Sequence, residues 1–177
     1  MATNVLSSSD MTETTGSRKK VYEILKDFST AMLVTICEDG GPGARPMHIA
    51  RVDEGSGNVW FLTSKGGSVA RELKENGSVL LVFEKENSAY LSIKGEARVT
   101  EDRKLIQDLW KEPYKVWFPK GVEDPDLAVV GVNPAAAEYW DNQGVNKLEY
   151  LFEAAKAYVK GERPHVDDRD QHAKTTL

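Results

Sequence analysis

Hydrophobic and polar positions along the middle of the chain follow the two-residue alternation, or the short unbroken apolar runs, that are typical of β-strands. Clusters of Gly, Asp, Asn and Ser separate these segments and are typical of turns. The pattern predicts strands at residues 31–38, 44–52, 78–84, 89–100 and 127–132, and one more that begins at residue 59. We expect the five strands that precede residue 101, including the one that begins at residue 59, to form an antiparallel meander that one helix interrupts, with 127–132 as a sixth strand.

Other segments repeat apolar residues at the spacing of a helix. They are residues 17–28, a short stretch that ends before Asn76, a stretch between Thr100 and Pro113, and residues 147–160. Residues 135–140 follow Asn133 and Pro134 and fit either a capped helix or an extended segment, and the pattern leaves this open. Polar ends complete the organisation: a disordered tail over 1–16, one domain over 17–160 and a polar tail over 161–177.

The second strand has two distinct faces. One face carries Arg45, Met47, Ile49 and Arg51, and the other carries Pro46, His48, Ala50 and Val52. Because proline has no N–H for the ladder, Pro46 predicts that this strand lies at an edge or begins irregularly.

Length and composition set limits on the fold and its partners. A chain of 177 residues with 40% apolar residues is sufficient for one domain with one core. A net charge of -5 gives no general attraction for nucleic acid or for an anionic membrane, so we expect neither as a partner. Cys37 is the single cysteine, as expected in a reducing compartment, and no apolar run matches a bilayer, so we expect a cytoplasmic protein.

The segment from Thr63 to Arg71 has the composition of a phosphate-binding turn. Two glycines allow close approach of the backbone, and the following helix begins with N–H groups that have no intrahelical partner. The cationic side chains are Lys65 and Arg71, and the hydroxyls belong to Thr63, Ser64 and Ser68. A phosphorylated ligand held there would bind at least roughly a hundredfold better than the same ligand without its phosphate, because two or three charge-assisted hydrogen bonds distinguish the two. The alternative is that Ser68 caps the helix and the charges are solvated.

Other chemistries have weaker support. The histidines are spread between a strand and the C-terminal tail, which predicts no metal site. Serine and cysteine lack a context that would make them nucleophiles beside His48. Acidic pairs such as Asp124 and Asp126 lie in polar segments, where we expect them to be solvated rather than catalytic.

Several segments together resemble the split-barrel FMN-binding family that includes pyridoxamine 5′-phosphate oxidase, and in particular its bacterial general stress protein branch. The resemblance covers residues 21–159. It rests on the following segments in this order: Arg45-Pro46-Met47, residues 59–73, residues 93–97, Trp117-Phe118-Pro119-Lys120-Gly121, Asp124-Pro125-Asp126-Leu127 and residues 137–141. It implies a mainly β fold with peripheral α-helices, namely a six-stranded antiparallel split β-barrel.

The resemblance also implies a homodimer that binds FMN between its subunits. Arg45 would contact the phosphate or ribityl chain, the backbone at Met47 and His48 would follow the ring edge, and Trp140 would lie near the flavin. The phosphate would be held by Thr63, Ser64, Lys65, Ser68 and Arg71. No catalytic residue is implied.

Departures from the oxidase pattern bear on the activity. The chain has Ala50 and Arg51 where the oxidase strand ends in lysine, and Ser68-Val69 where its turn carries an Arg-Lys pair. The C-terminal arginine motif that holds pyridoxal is not recognisable. We therefore expect an FMN-dependent oxidoreductase or flavin reductase that acts on an unknown small substrate. The alternatives are a flavin-binding stress protein without turnover and, with less support, a vitamin oxidase.

Overall fold

The computed structural model describes residues 22–53, 56–85, 89–141 and 172–176. Within them the protein is mainly β. Its strands are β1 (Thr30–Ile36), β2 (Pro42–Val52), β3 (Val59–Ser64), β4 (Ser78–Lys85), β5 (Ala89–Thr100), β6 (Leu127–Asp141) and β7 (His172–Thr176). Two helices, α1 (Ser68–Glu75) and α2 (Arg103–Leu109), and 3-10 turns at Glu112–Val116 and Gly121–Glu123 complete the elements, with residues 22–25 also helical.

Six of the strands close into an antiparallel barrel, as predicted. The order of pairing is β3-β2-β1-β4-β5-β6, and β3 pairs with β6 to complete the circuit. The expected five-strand meander is wrong at one point, because β4 pairs with β1 and not with β3. Helix α1 connects β3 to β4 and makes this crossover possible. Two three-stranded meanders therefore join to form the barrel.

Inward-facing apolar side chains from all six strands fill the barrel. Leu33, Phe61, Leu81 and Ile93 are fully buried there, and Leu25 reaches the same cluster from the helical residues 22–25. Helix α1 adds Val69 and Leu73. The apolar faces predicted for these two helical segments thus pack on the barrel core, as the described residues confirm.

An irregularity divides β2 into two parts. Its pairing with β3 includes only Ile49, Arg51 and Val52, with a register shift between Ile49 and Arg51, whereas residues 42–48 pair with β1 alone. The shift moves Arg51 off the face that it was predicted to share with Ile49, and Val52 packs against the barrel core instead. The bulge separates β2 from β3 and leaves the edge of β2 open, as Pro46 predicted.

A second apolar layer covers the outside of β3 and β6. Ile106 and Leu109 from α2, together with Tyr114, pack on Leu127 and Val129 of β6. Asp102 caps α2 by accepting hydrogen bonds from the N–H groups of Lys104 and Leu105, at 2.9 and 3.2 Å. This layer places the segment 112–118 beside the gap between β2 and β3.

The C-terminal half of β6 settles the alternative that the sequence left open, because residues 135–140 are extended. They pair with β5 on one side and with β7 on the other. The strand β7 lies inside the segment that we assigned only to a polar tail. The predicted tail at 1–16 and the predicted helix at 147–160 lie outside the described residues.

Candidate functional site

A cleft of about 490 Å³ occupies the gap between β2 and β3. Its wall on the β2 side is made by Pro46, Met47 and His48, and its wall on the β3 side by Leu62 and Thr63. The rest of its lining comes from Thr30, Tyr114, Trp117 and Phe118. The volume is typical of a small-molecule site, and the lining combines aromatic surface with few polar groups.

Tyr114 gives this cleft an unusual polar group. Its side chain is only 4% exposed, and its hydroxyl has no hydrogen-bond partner among the described residues. The ring packs edge-on against His48 and Trp110, at centroid distances of 5.6 and 5.9 Å. Burial raises the pKa of Tyr114 above its ordinary value, so the hydroxyl keeps its proton at neutral pH. A buried donor without an acceptor is rare in proteins, and this one belongs to a residue that lines the cleft.

The glycine-rich turn after β3 lies beside the cleft, because Thr63 belongs to the cleft wall and Ser64 begins the turn. The carboxylate of Asp126 accepts hydrogen bonds from the Ser64 hydroxyl and from the Gly66 N–H, the latter at 3.1 Å. The Lys65 N–H donates to the Asp126 backbone carbonyl at 2.8 Å. In this structure the donors of the turn bind a carboxylate of the same chain, and the phosphate site stays a prediction.

The two cations of the turn also have acidic partners. Lys65 Nζ lies 3.3 Å from Glu101 Oε2, and Arg71 Nε lies 3.2 Å from Glu38 Oε1. Arg71 also donates to the Gly66 carbonyl at 2.7 Å. All four side chains are largely exposed, so these pairs are weak and can exchange for a ligand at little cost.

Arg45 lies apart from the turn cations. Its guanidinium donates to Glu72 Oε2 at 2.7 Å and to Thr35 Oγ1 at 2.8 Å, and the Thr35 hydroxyl donates to the same Glu72 oxygen at 2.5 Å. Burial, the largest single influence, raises the pKa of Glu72, but the hydrogen bonds from Thr35 and Arg45 outweigh it and hold the pKa below its ordinary value. The triad ties β1, β2 and α1 together.

The nine predicted site residues thus fall into four places. Met47, His48 and Thr63 line the cleft; Ser64, Lys65, Ser68 and Arg71 form the turn and the start of α1; Arg45 lies in the triad; and Trp140 pairs with Tyr90 on β5, outside the cleft lining. The alternative interpretation of Ser68 as a helix cap is wrong, because Gly67 is the capping residue and makes no side-chain cap.

Sequence reasoning missed two important side chains and misjudged one other. No pattern in the sequence singled out Tyr114 or Glu72. The expectation that Asp124 is solvated is wrong, because Asp124 is buried and accepts the Asp126 N–H at 3.0 Å, whereas Asp126 is partly exposed and binds the turn. An acidic pair immediately before a buried strand was the available signal for a capped turn.

The described residues contain neither a metal-binding cluster nor a membrane-spanning helix. None of their His, Cys, Asp and Glu side chains form a group of three or more that could hold a metal ion. No helix in the same part of the chain has the length and apolar character needed to cross a membrane.

Comparison with known proteins gives a consistent result. Residues 16–165 match the family model described as pyridoxamine 5′-phosphate oxidase like. General stress protein 26 of Bacillus subtilis (strain 168) is 27% identical over 121 residues, which cover 66% of this chain and 83% of that protein.

Solved structures of general stress proteins are also similar to this chain. A general stress FMN/FAD binding protein from Xanthomonas citri is 30% identical, with a TM-score of 0.62 over 73% of this chain and 91% of that chain. General Stress Protein 26 from Bacillus anthracis str. Sterne is 22% identical, with a TM-score of 0.62 over 70% and 92% of the two chains, and supports the fold alone.

Proposed function

Because this chain belongs to the pyridoxamine 5′-phosphate oxidase-like family, we propose that it is an FMN-binding general stress protein that acts as a flavin-dependent oxidoreductase on a small substrate. The observation that carries this proposal is the aromatic cleft with the unpaired Tyr114 hydroxyl. The similarity to a protein named for FMN/FAD binding supports the same cofactor class. The cytoplasm, which suits a chain with a single cysteine, is the location that we propose.

The residues of the cleft fit a flavin ring. Met47, Leu62 and Phe118 offer apolar surface to a flat aromatic system. The buried Tyr114 hydroxyl would donate to a carbonyl oxygen of the ring once the bound ligand makes it accessible. His48 lies on the same wall as Met47. Ser64, Lys65, Ser68 and Arg71 lie beyond Thr63, where they would face the phosphate. This division places the apolar part of the ligand on apolar surface and the anion near cations.

When bound, FMN would supply the redox chemistry, and the protein would supply binding, orientation and exclusion of water. Tyr114 remains protonated because its burial disfavours the phenolate, so it acts as a fixed donor. Phe118 and Trp117 cover the outer side of the cleft. Trp117 is 65% exposed in the single chain, so a partner or a ligand is needed to bury it.

Flavin binding is tested by the colour of the purified protein and by titration with FMN, followed by quenching of flavin fluorescence. Phe118→Ala should weaken binding by about tenfold, because it removes apolar surface from the cleft. Phe28→Ala is the matched control, since Phe28 is also half-buried but packs on Phe83, at 5.3 Å, away from the cleft. Equal effects of the two changes, or no binding by the wild type, would contradict the proposal.

A second candidate is a protein that binds or senses flavin without turnover. One observation favours it: among the described residues, the side chains that line the cleft include no carboxylate, lysine or arginine to hold a polar substrate. Steady-state reduction of the bound flavin by a nicotinamide nucleotide, followed at the flavin absorption band, separates the two. Repeated turnover supports the oxidoreductase, and a single slow reduction supports the sensor.

We also propose that two copies form the flavin site together. Pro46, Met32 and Val82 are neighbours across β2, β1 and β4, and their side chains form an apolar row on the outside of the barrel. Met32 is 39% and Val82 37% exposed, and Val116, which precedes Trp117 of the cleft lining, is 78% exposed. Exposed apolar surface of this kind is typical of an interface.

Light scattering tests the dimer. The wild type should have twice the mass of one chain, and Val82→Glu should shift it toward the monomer and weaken FMN binding in parallel. Gln107→Glu adds the same charge at an exposed position of α2 and should change neither property. A wild type that is monomeric at micromolar concentration would contradict this part of the proposal.

A further inference from the structure

The glycine-rich turn has two hydrogen-bond donors aimed at one place, the Ser64 hydroxyl and the Gly66 N–H. The Asp126 carboxylate uses both, with one oxygen on each. The adjacent backbone bond from Lys65 N–H to the Asp126 carbonyl fixes residue 126 against the turn. A phosphate that bound the same two donors would overlap the carboxylate.

Asp126 is ionised in this position. The hydrogen bond from Ser64 and the N–H of Gly66 lower the pKa of its carboxyl group, and the charges of Lys65 and Lys120 act in the same direction. At neutral pH the position therefore already contains a negative charge. A phosphate that approached would meet electrostatic repulsion as well as the loss of both donors.

We propose that Asp126 determines how strongly this site selects phosphorylated ligands: it acts as an internal substitute for phosphate, and a flavin phosphate binds the turn only by displacing it. This inference rests on the proposed flavin site. It departs from the expectation of a vacant turn, for which FMN would bind about a hundredfold better than riboflavin. With Asp126 in place, the wild type should prefer FMN by less than about tenfold.

The decisive variant is Asp126→Asn, which keeps the shape and one acceptor oxygen but removes the charge. Its preference for FMN over riboflavin should rise by about tenfold or more, through tighter FMN binding, while its riboflavin affinity and its melting temperature stay close to those of the wild type. Asp108→Asn is the charge-matched control, because Asp108 is an exposed residue of α2. It should leave the preference unchanged.

A second variant protects the test against a structural side effect. Asp126→Ala removes both acceptor oxygens and leaves the Ser64 and Gly66 donors without their partner. Because the preference is a ratio of two affinities measured on the same variant, a loss of stability affects both ligands alike, and the alanine variant should also show the higher FMN preference. A preference that stays the same or falls in both variants would overturn the proposal.

Inorganic phosphate tests the turn without any flavin. At matched ionic strength, phosphate should raise the melting temperature of Asp126→Asn and should shift the Gly66 amide resonance, whereas the wild type should respond to neither. If phosphate behaves in this way but no variant binds a flavin, Asp126 has the proposed role and the proposed function is wrong. If the wild type binds phosphate as well as the variant does, the inference about Asp126 is wrong, whatever the flavin results.

Discussion

Replacing Glu72 by glutamine should destabilise the protein by about 2–3 kcal/mol. The Glu72 side chain is 7% exposed and accepts two hydrogen bonds, from Arg45 at 2.7 Å and from Thr35 at 2.5 Å. A bond to a charged group contributes about 1 kcal/mol more than a neutral one, so two weakened bonds account for about 2 kcal/mol. The unpaired charge of Arg45 adds to this only in part, because that side chain is 22% exposed and solvent screens it.

Urea unfolding at pH 7, followed by tryptophan fluorescence, measures this loss as a lower transition midpoint, by about 1 M for an ordinary denaturant slope. Glu75→Gln is the control on the same helix, and Glu75 is exposed. We expect a change of about 0.5 kcal/mol or less for the control. A double-mutant cycle with Arg45→Gln should show strong coupling between Arg45 and Glu72.

The dependence on pH gives an independent check. The folded-state pKa of Glu72 lies below its ordinary value of 4.5, so its contribution to stability is present above that pH and is lost as the pH falls through the folded-state pKa. The difference between wild type and Glu72→Gln should therefore be constant near neutrality and should shrink in acid. A loss below about 0.5 kcal/mol at pH 7, or additive single changes in the cycle, would refute the argument.

Three further predictions concern a glycine in the barrel, the buried tyrosine of the cleft and the absent arginine motif. Gly131→Ala should cost about 1–3 kcal/mol in urea unfolding, because the added Cβ would lie 2.5 Å from the Trp60 ring; an unchanged midpoint would contradict this. Tyr114→Phe should leave stability unchanged or raise it by about 1 kcal/mol, since it removes an unpaired buried hydroxyl, yet should weaken FMN binding by about three- to tenfold in fluorescence titration; unchanged FMN affinity would mean that the hydroxyl does not contact the ligand. Pyridoxine 5′-phosphate should not be oxidised at about one turnover per second or faster, as measured by oxygen uptake, because the substrate-holding arginine motif is not recognisable; such a rate would restore the vitamin oxidase.

Local patterns predicted the elements of this fold well. Alternation located all six barrel strands, and the stripe of Leu105, Ile106 and Leu109 located α2. The choice of partner for β4 depends on contacts distant in the sequence, which periodicity does not contain. Periodicity does not predict the bulge after Ile49 either. The register shift reverses the later faces of β2, and it arises only from the pairing of β2 with β3.

Only part of the candidate site could be predicted, because it too depends on contacts distant in the sequence. Met47, His48 and Thr63 line the cleft, and they lie on β2 and β3, two strands that the pattern predicted. Composition alone predicted an anion at the turn, but it does not show which anion, and Asp126 is far from Ser64 along the chain. The contact of Arg45 with the phosphate or ribityl chain stays a prediction, and its observed partner Glu72 becomes apparent only when α1 packs on the barrel.

Proline 46 has a further consequence, for the behaviour of the protein at high concentration. The Ile49 N–H donates to Ser29 at 2.8 Å, so by alternation the odd residues of β2 direct their backbone groups toward β1 and the even ones direct theirs outward, along the open edge. An open edge of this kind can recruit a strand from another molecule and start aggregation. Pro46 places a residue without an N–H in the middle of that edge, so an incoming strand would find a gap in its ladder. Pro46 thus protects the open cleft between β2 and β3 against pairing with a β-strand from another molecule.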